Sequence, residues 1–93
     1  MNYTYVLFSE RDGQFSTGST SDLRGRLAQH RAGRVRSTAS RGPLILVYYE
    51  ASVDIADAQR RERFLKTGKG KRYLNKRLST HLSLIRPNKL ERH

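Results

Sequence analysis

Cysteine and tryptophan are absent from the 93 residues, and there are only two prolines and one methionine. Without cysteine there is no disulfide, no thiolate zinc site and no cysteine nucleophile. Histidine is scarce too: His30, His81 and His93 are scattered and form no metal-ligand cluster. The longest apolar run is Leu44-Ile45-Leu46-Val47-Tyr48-Tyr49, far short of the ~20 residues a membrane-spanning helix needs. No basic segment followed by an apolar stretch opens the chain, so no secretory signal and no membrane partner are expected, and a cytoplasmic location is. Acidic residues are few: eight Asp and Glu stand against 19 Lys and Arg, a net charge of +11. Leu, Ile, Val and Phe supply 21 residues, just above the ~20% below which a highly charged chain stays disordered. One small folded domain is therefore expected.

What the chain has in abundance is arginine, 14 of the 19 cations. The planar guanidinium suits phosphate oxygens, which points to a polyanionic partner. The charge is also blocked. Arg24 to Arg41 holds six Arg and no acid, and Arg60 to Arg77 holds nine Lys or Arg and one acid, Glu62. Such blocks can be solvated helix faces, but two of them in so short a chain favour a nucleic-acid surface, DNA before RNA. Arg24, Arg34, Arg36, Arg41, Arg60, Arg61, Lys66, Lys69, Lys71 and Arg72 are its candidate contacts.

Tyr3 to Ser9 is rich in aromatic and β-branched residues and predicts a strand. Asp12-Gly13 predicts a hairpin turn and Phe15 to Ser19 a weak returning strand. Ser21 is a candidate N-cap, with Asp22 in the first turn of a helix running to about Ala32, where Gly33 stops it. Gly25 inside that helix costs about 1 kcal/mol relative to Ala. Residues 33–43 form a loop, Leu44 to Glu50 a buried strand, and Asp54 opens a second helix that runs to about Lys66. Gly68-Lys69-Gly70 breaks it, and a third helix runs from about Lys71 to Leu78 or beyond, toward Ile85. The prediction is an α+β domain over residues 1–85, in the order β-β-α-β-α-α, with a polar tail over 86–93.

Three constellations could carry chemistry. On a helical wheel Glu62 falls within the apolar stripe marked by Ile55, Ala58 and Leu65. A carboxylate there needs a partner, either an Arg or a hard cation such as Mg²⁺. Arg26 and His30, four apart, share a helix face. They can be a surface pair, or they can flank a phosphodiester, Arg stabilising phosphoryl charge and His moving a proton. Tyr5 is either a core tyrosine or a phenol whose pKa is lowered by neighbouring cations. Thr67-Gly68-Lys69-Gly70-Lys71 lacks the spacing of a phosphate-binding glycine loop.

As an ordered set these residues resemble the small stand-alone GIY-YIG nuclease-domain proteins, over roughly residues 3–78. Tyr3-Thr4-Tyr5 occupies the first motif and Ser16-Thr17-Gly18 the second. Asp22 to His30 is similar to the family's helix with its functional Arg and His, here Arg26 and His30. Val35 to Pro43, followed by Leu46-Val47-Tyr48-Tyr49-Glu50, resembles the small stand-alone branch. Ala58 to Lys66 resembles the helix with the metal-binding glutamate, here Glu62. The resemblance implies a three-stranded antiparallel sheet flanked by helices and metal-dependent hydrolysis of DNA phosphodiesters. It implies that Glu62 holds Mg²⁺ or Mn²⁺, that Arg26 grips the scissile phosphate, and that Tyr5 and His30 transfer or position protons. One departure stands out: the second motif normally begins with tyrosine, and here the residue is Ser16. That implies a weakened enzyme or, alternatively, a non-catalytic nucleic-acid-binding module; the charge also permits a general RNA or ribosome-surface binder.

Overall fold

The computed structural model describes residues 1–86. The most apolar part of the N-terminal segment becomes the middle of the sheet. Strand β1 (Asn2–Ser9) is buried from Thr4 to Ser9, because both of its faces are covered. Strand β2 (Phe15–Thr20) pairs with it antiparallel through the Asp12-Gly13 turn, and β3 (Leu44–Ser52) pairs antiparallel on its other side, giving the order β2-β1-β3. Gly13 supplies the positive φ that the turn needs.

Helix α1 (Leu23–Arg31) lies on one face. Its Leu27, with Leu23 packed alongside, meets Tyr5 and Leu7 of β1 and Leu44 and Leu46 of β3. The other face carries α2 (Ile55–Leu65) and α3 (Gly68–Arg77), whose Leu65 and Leu74 close on Val6, with Phe15, Val47 and Tyr48 at the margin. Alternating side chains let β3 serve both cores, and the strand carries a bulge. Leu7 pairs with Leu46 and Val6 with Tyr48, so Val47 has no cross-strand partner of its own.

The sequence order gains one helix. A separate α4 (Ser79–Ile85) follows α3 after Leu78, where the backbone leaves helical geometry, so the order is β-β-α-β-α-α-α. Three local expectations are corrected. The cap of α1 is Asp22, not Ser21: its carboxylate accepts the Gly25 N–H at 3.1 Å. A side chain at position 25 would collide with that carboxylate, so glycine there makes room for the cap. Gly68-Lys69-Gly70 is the first turn of α3 and not a break, capped by Thr67, whose hydroxyl accepts the Gly70 N–H at 3.1 Å. Gly70 is buried where α3 crosses α2, and a Cβ there would overlap the Phe64 carbonyl and the Leu65 Cα. Ile55 is 57% exposed, whereas Ala58 and Leu65 are fully buried: as the first residue of α2 it lies outside the contact with the sheet. The expected tail at 86–93 falls, beyond Arg86, outside the described residues.

Candidate active site at the edge of the sheet

Tyr5 points from the central strand toward α1, and its cross-strand partner is Gly18. The phenol lies over that glycine; a Cβ at position 18 would stand 2.5 Å from Tyr5 Oη. Only a residue without a side chain leaves the tyrosine its place.

From α1, Arg26 and His30 reach the same oxygen. Tyr5 Oη is 2.9 Å from His30 Nε2, and Arg26 Nε–H donates to it at 3.3 Å. Arg26 also donates to Gln29 Oε1 at 3.0 Å. On its far side His30 Nδ1 lies 2.7 Å from Thr38 Oγ1, and Thr38 in turn lies 3.4 Å from the Val35 carbonyl. His30 and Thr38 are both buried. Burial, reinforced by the Arg26 charge, lowers the His30 pKa below its ordinary value, so the imidazole is neutral at pH 7 and carries one N–H. Arg26 can only donate. If the Tyr5 proton goes to Nε2, Nδ1–H donates to Thr38 and the Thr38 proton to Val35. Every proton in the chain then has an acceptor, which assigns this tautomer.

Glu62 approaches from the opposite face of the sheet, on α2. Its Oε1 accepts from Ser19 Oγ at 2.7 Å and its Oε2 from Lys66 Nζ at 2.9 Å. Partial burial opposes ionisation, but the hydrogen bonds from Lys66 and Ser19 and the charges of Lys66 and Arg63 prevail, and the pKa falls below its ordinary value. The two halves meet in a cleft of about 210 Å³ at the edge formed by β2. Tyr5, Arg26, His30 and Glu62 all line it, and Ser16 and Lys66 contribute to its wall. Ser16 is opposite Leu7, two residues from Gly18, and so shares the sheet face of Tyr5.

A model of the GIY-YIG catalytic domain matches residues 1–75. The chain belongs to the GIY-YIG family. Its relatives include the UPF0213 protein SH2523 of Staphylococcus haemolyticus, 36% identical over 71% of this chain and 80% of that protein. Another is the UPF0213 protein CPE1444 of Clostridium perfringens, 39% identical over 71% of each. The solution NMR structure of the UPF0213 protein BH0048 from Bacillus halodurans is 35% identical; the match covers 80% of this chain and 82% of that one, with a TM-score of 0.49. Membership in the GIY-YIG family carries a nuclease-type function, generally with a divalent metal.

In this GIY-YIG domain the donor set available to a metal is spare. Among the described residues no group of three or more His, Cys, Asp or Glu gathers. Glu62 offers one ionised, solvent-reachable carboxylate with hydroxyls nearby. That fits a hard cation which takes one or two protein carboxylates and fills the remaining positions with water and substrate phosphate.

The basic residues divide. Arg41 pairs with Asp12 at 2.8 Å and reaches the Gln14 carbonyl, which holds loop 32–43 against the hairpin and brings the Asp12 pKa down to about 2. Arg61 binds Glu50 through two hydrogen bonds of 2.8 and 2.9 Å and stacks on Phe64 and Tyr73. Arg60 pairs with Asp57. Arg24, Arg34, Arg36, Lys69, Lys71 and Arg72 are exposed and pair with no acid among the described residues. No helix there is long and apolar enough to cross a membrane.

Sequence reasoning missed Thr38, one of several Ser and Thr in a loop that carries no periodic signal. It also missed Ser19 as a partner of Glu62. Lys66 was legible as a surface cation, and its i,i+4 spacing from Glu62 was the available sign that it meets the carboxylate.

Proposed function

We propose that this GIY-YIG domain is a metal-dependent endonuclease that hydrolyses phosphodiester bonds in DNA. The observation that carries the reading is the convergence of Tyr5, His30 and Arg26 from one sheet face and Glu62 from the other on a single edge cleft. Neutral His30 takes the phenolic proton from Tyr5 through Nε2, while Nδ1–H goes on donating to Thr38 Oγ1. Arg26, already bonded to Oη, steadies the phenolate. The phenolate then takes a proton from the attacking water as its oxygen bonds to phosphorus and the ester P–O bond breaks; the departing alkoxide takes a proton from solvent, and the proton His30 accepted goes back to solvent. Arg26 also faces the charge that develops on the phosphoryl oxygens. Glu62 would hold the divalent cation, Mg²⁺ or Mn²⁺, which supplies charge neutralisation at the phosphate when bound. On this reading the acceptor for the water proton is Tyr5, so Ser16 weakens the site without emptying it. The unpaired cations Arg24, Arg34, Arg36, Lys69, Lys71 and Arg72 hold the backbone of the polymer.

Ser16, with a short hydroxyl where the family motif has a phenol, favours the second reading, a DNA-binding module without turnover. Nicking of duplex and branched DNA with Mg²⁺ or Mn²⁺, against EDTA and Glu62→Gln, separates the two. The enzyme reading expects metal-dependent nicking by the wild type and none by Glu62→Gln, with DNA affinity retained. Salt-dependent DNA binding without nicking in either metal establishes the module. Binding should weaken with salt at a log–log slope steeper than about −3, given ~0.9 per phosphate neutralised; absence of DNA binding at low salt overturns both.

A further inference from the structure

Beside the cleft lies a second pocket of about 270 Å³, lined by Phe15, Ser16, Thr17, Ser37, Lys66 and Lys71. Ser16, Thr17, Ser37 and Lys66 line both, so the two adjoin. The side chains that wall it offer three hydroxyls and two ammonium groups and no carboxylate. That is a donor set for an anion with several oxygens. Lys71 pairs with no acid among the described residues.

Lys66 stands on the border. Its ammonium is 2.9 Å from Glu62 Oε2, and its side chain is 56% exposed. An i,i+4 pair of this exposure is weak, and the lysine stem is flexible. The ammonium occupies one oxygen of the carboxylate that fits the metal. A divalent cation arriving there would repel it, and the second pocket, which Lys66 already borders and no carboxylate lines, lies beside it.

We propose that this second pocket seats a DNA backbone phosphate adjacent to the scissile one, and that Lys66 moves from Glu62 into it when a divalent cation takes the carboxylate. The proposal rests on the nuclease reading above. Lys66 then acts as a tethered counter-ion: it neutralises Glu62 in the resting protein and the flanking phosphate in the loaded one. Metal and phosphate each draw Lys66 in the same direction, so each favours the binding of the other.

Two measurements on the full chain test it, neither requiring turnover. The first is Mn²⁺ binding followed by electron paramagnetic resonance without DNA. Lys66→Met should bind Mn²⁺ about two- to fivefold tighter than wild type, the range an exposed ion pair is worth, and Glu62→Gln should bind it far more weakly. Unchanged or weaker binding by Lys66→Met overturns the competition between lysine and metal. The second is an amide NMR titration with inorganic phosphate against chloride at equal ionic strength. Shifts should concentrate at Ser16, Thr17, Ser37 and Lys71, vanish in Lys71→Met and return in Lys71→Arg. The salt slope for duplex DNA should also fall by about one in Lys71→Met. Shifts scattered over other basic residues overturn the pocket. Phosphate seated in the pocket with no change in the DNA slope overturns its assignment to DNA and leaves the nuclease reading standing; failure of the wild type to bind DNA at all brings down both.

Discussion

Thr38→Val is the substitution that bears most directly on proton transfer. The two side chains have nearly the same shape, and Thr38 is 2% exposed, so valine fills the same space without the hydroxyl. The lost partner is the 2.7 Å contact with His30 Nδ1. A buried Nδ1–H left unpaired costs about 1–3 kcal/mol, and for a domain of this size each kcal/mol lowers Tm by about 4–8 °C. The proton can shift to Nε2 and donate to Tyr5 Oη, but the Tyr5 hydroxyl then loses its acceptor and Nδ1 faces the valine unpaired, so the penalty moves without disappearing. In either tautomer Thr38→Val should lose about 1–3 kcal/mol of stability. In the shifted tautomer Nε2 cannot take the phenolic proton, and much of the ~10²–10⁴ that a positioned proton acceptor contributes should go as well. Single-turnover nicking gives the rate, and ¹⁵N NMR of the imidazole gives the tautomer. Thr38→Ser, which keeps the hydroxyl, should retain both. A folded, DNA-binding Thr38→Val that nicks at the wild-type rate would refute the transfer from Tyr5 to His30.

Arg26→Ala should lower the nicking rate by about 10²–10³ with little loss of DNA affinity, since its charge is aimed at the reaction and many other cations serve binding; equal losses in both would make it a general contact. Ser16→Tyr should raise single-turnover nicking without changing affinity, because it adds a phenol on the sheet face of Tyr5; no gain in a folded, metal-binding variant would mean that Ser16 is not the limiting residue. Gly18→Ala places a methyl against Tyr5 Oη and Cζ and should destabilise by about 1–3 kcal/mol through overpacking, measured by urea denaturation, with nicking impaired. The folded pKa of His30 lies below the unfolded one, so its contribution to stability is whole above the ordinary value of 6.5 and is lost as pH falls through the folded value. Urea midpoints should drop between neutral pH and pH 5, and His30→Asn should flatten that part of the curve.

The elements were legible where a local pattern determines them. The aromatic and β-branched run of β1, the Asp12-Gly13 turn and the Asp54 cap of α2 are all short-range signals. Ile55 was misplaced because a wheel marks a helix face but not where along the helix the sheet ends. The glycines of Gly68-Lys69-Gly70 looked like a break because the reason for Gly70, close approach to Phe64 and Leu65, lies on another helix. Tyr5, Arg26, His30 and Glu62 could be named from motif spacing. What the sequence does not display is the hydrogen bond between Tyr5 and His30, 25 residues apart, or between Ser19 and Glu62, 43 apart; each depends on how the strands and helices pack. For the same reason Arg61 was indistinguishable from its neighbours until Glu50 was seen beside it.

Strand β2 is the partition on whose two sides the candidate site is built. Tyr5, His30 and Arg26 stand on one side and Ser19 and Glu62 on the other, and the cleft at the strand's outer edge is lined by both sets. Among the described residues the strand is also an edge, paired only with β1. On the proposed reading a phosphodiester is therefore presented to the rim of the sheet and straddles a single thickness of backbone. The same economy makes the site fragile as a unit. Fraying of this polar, half-buried strand would withdraw Ser19, the hydroxyl that holds Glu62, and Ser16 from the cleft wall, while the two leucine-rich cores on either side of β1 stay intact. Activity and folding are thus separable failures in this domain, and the hairpin is where they come apart.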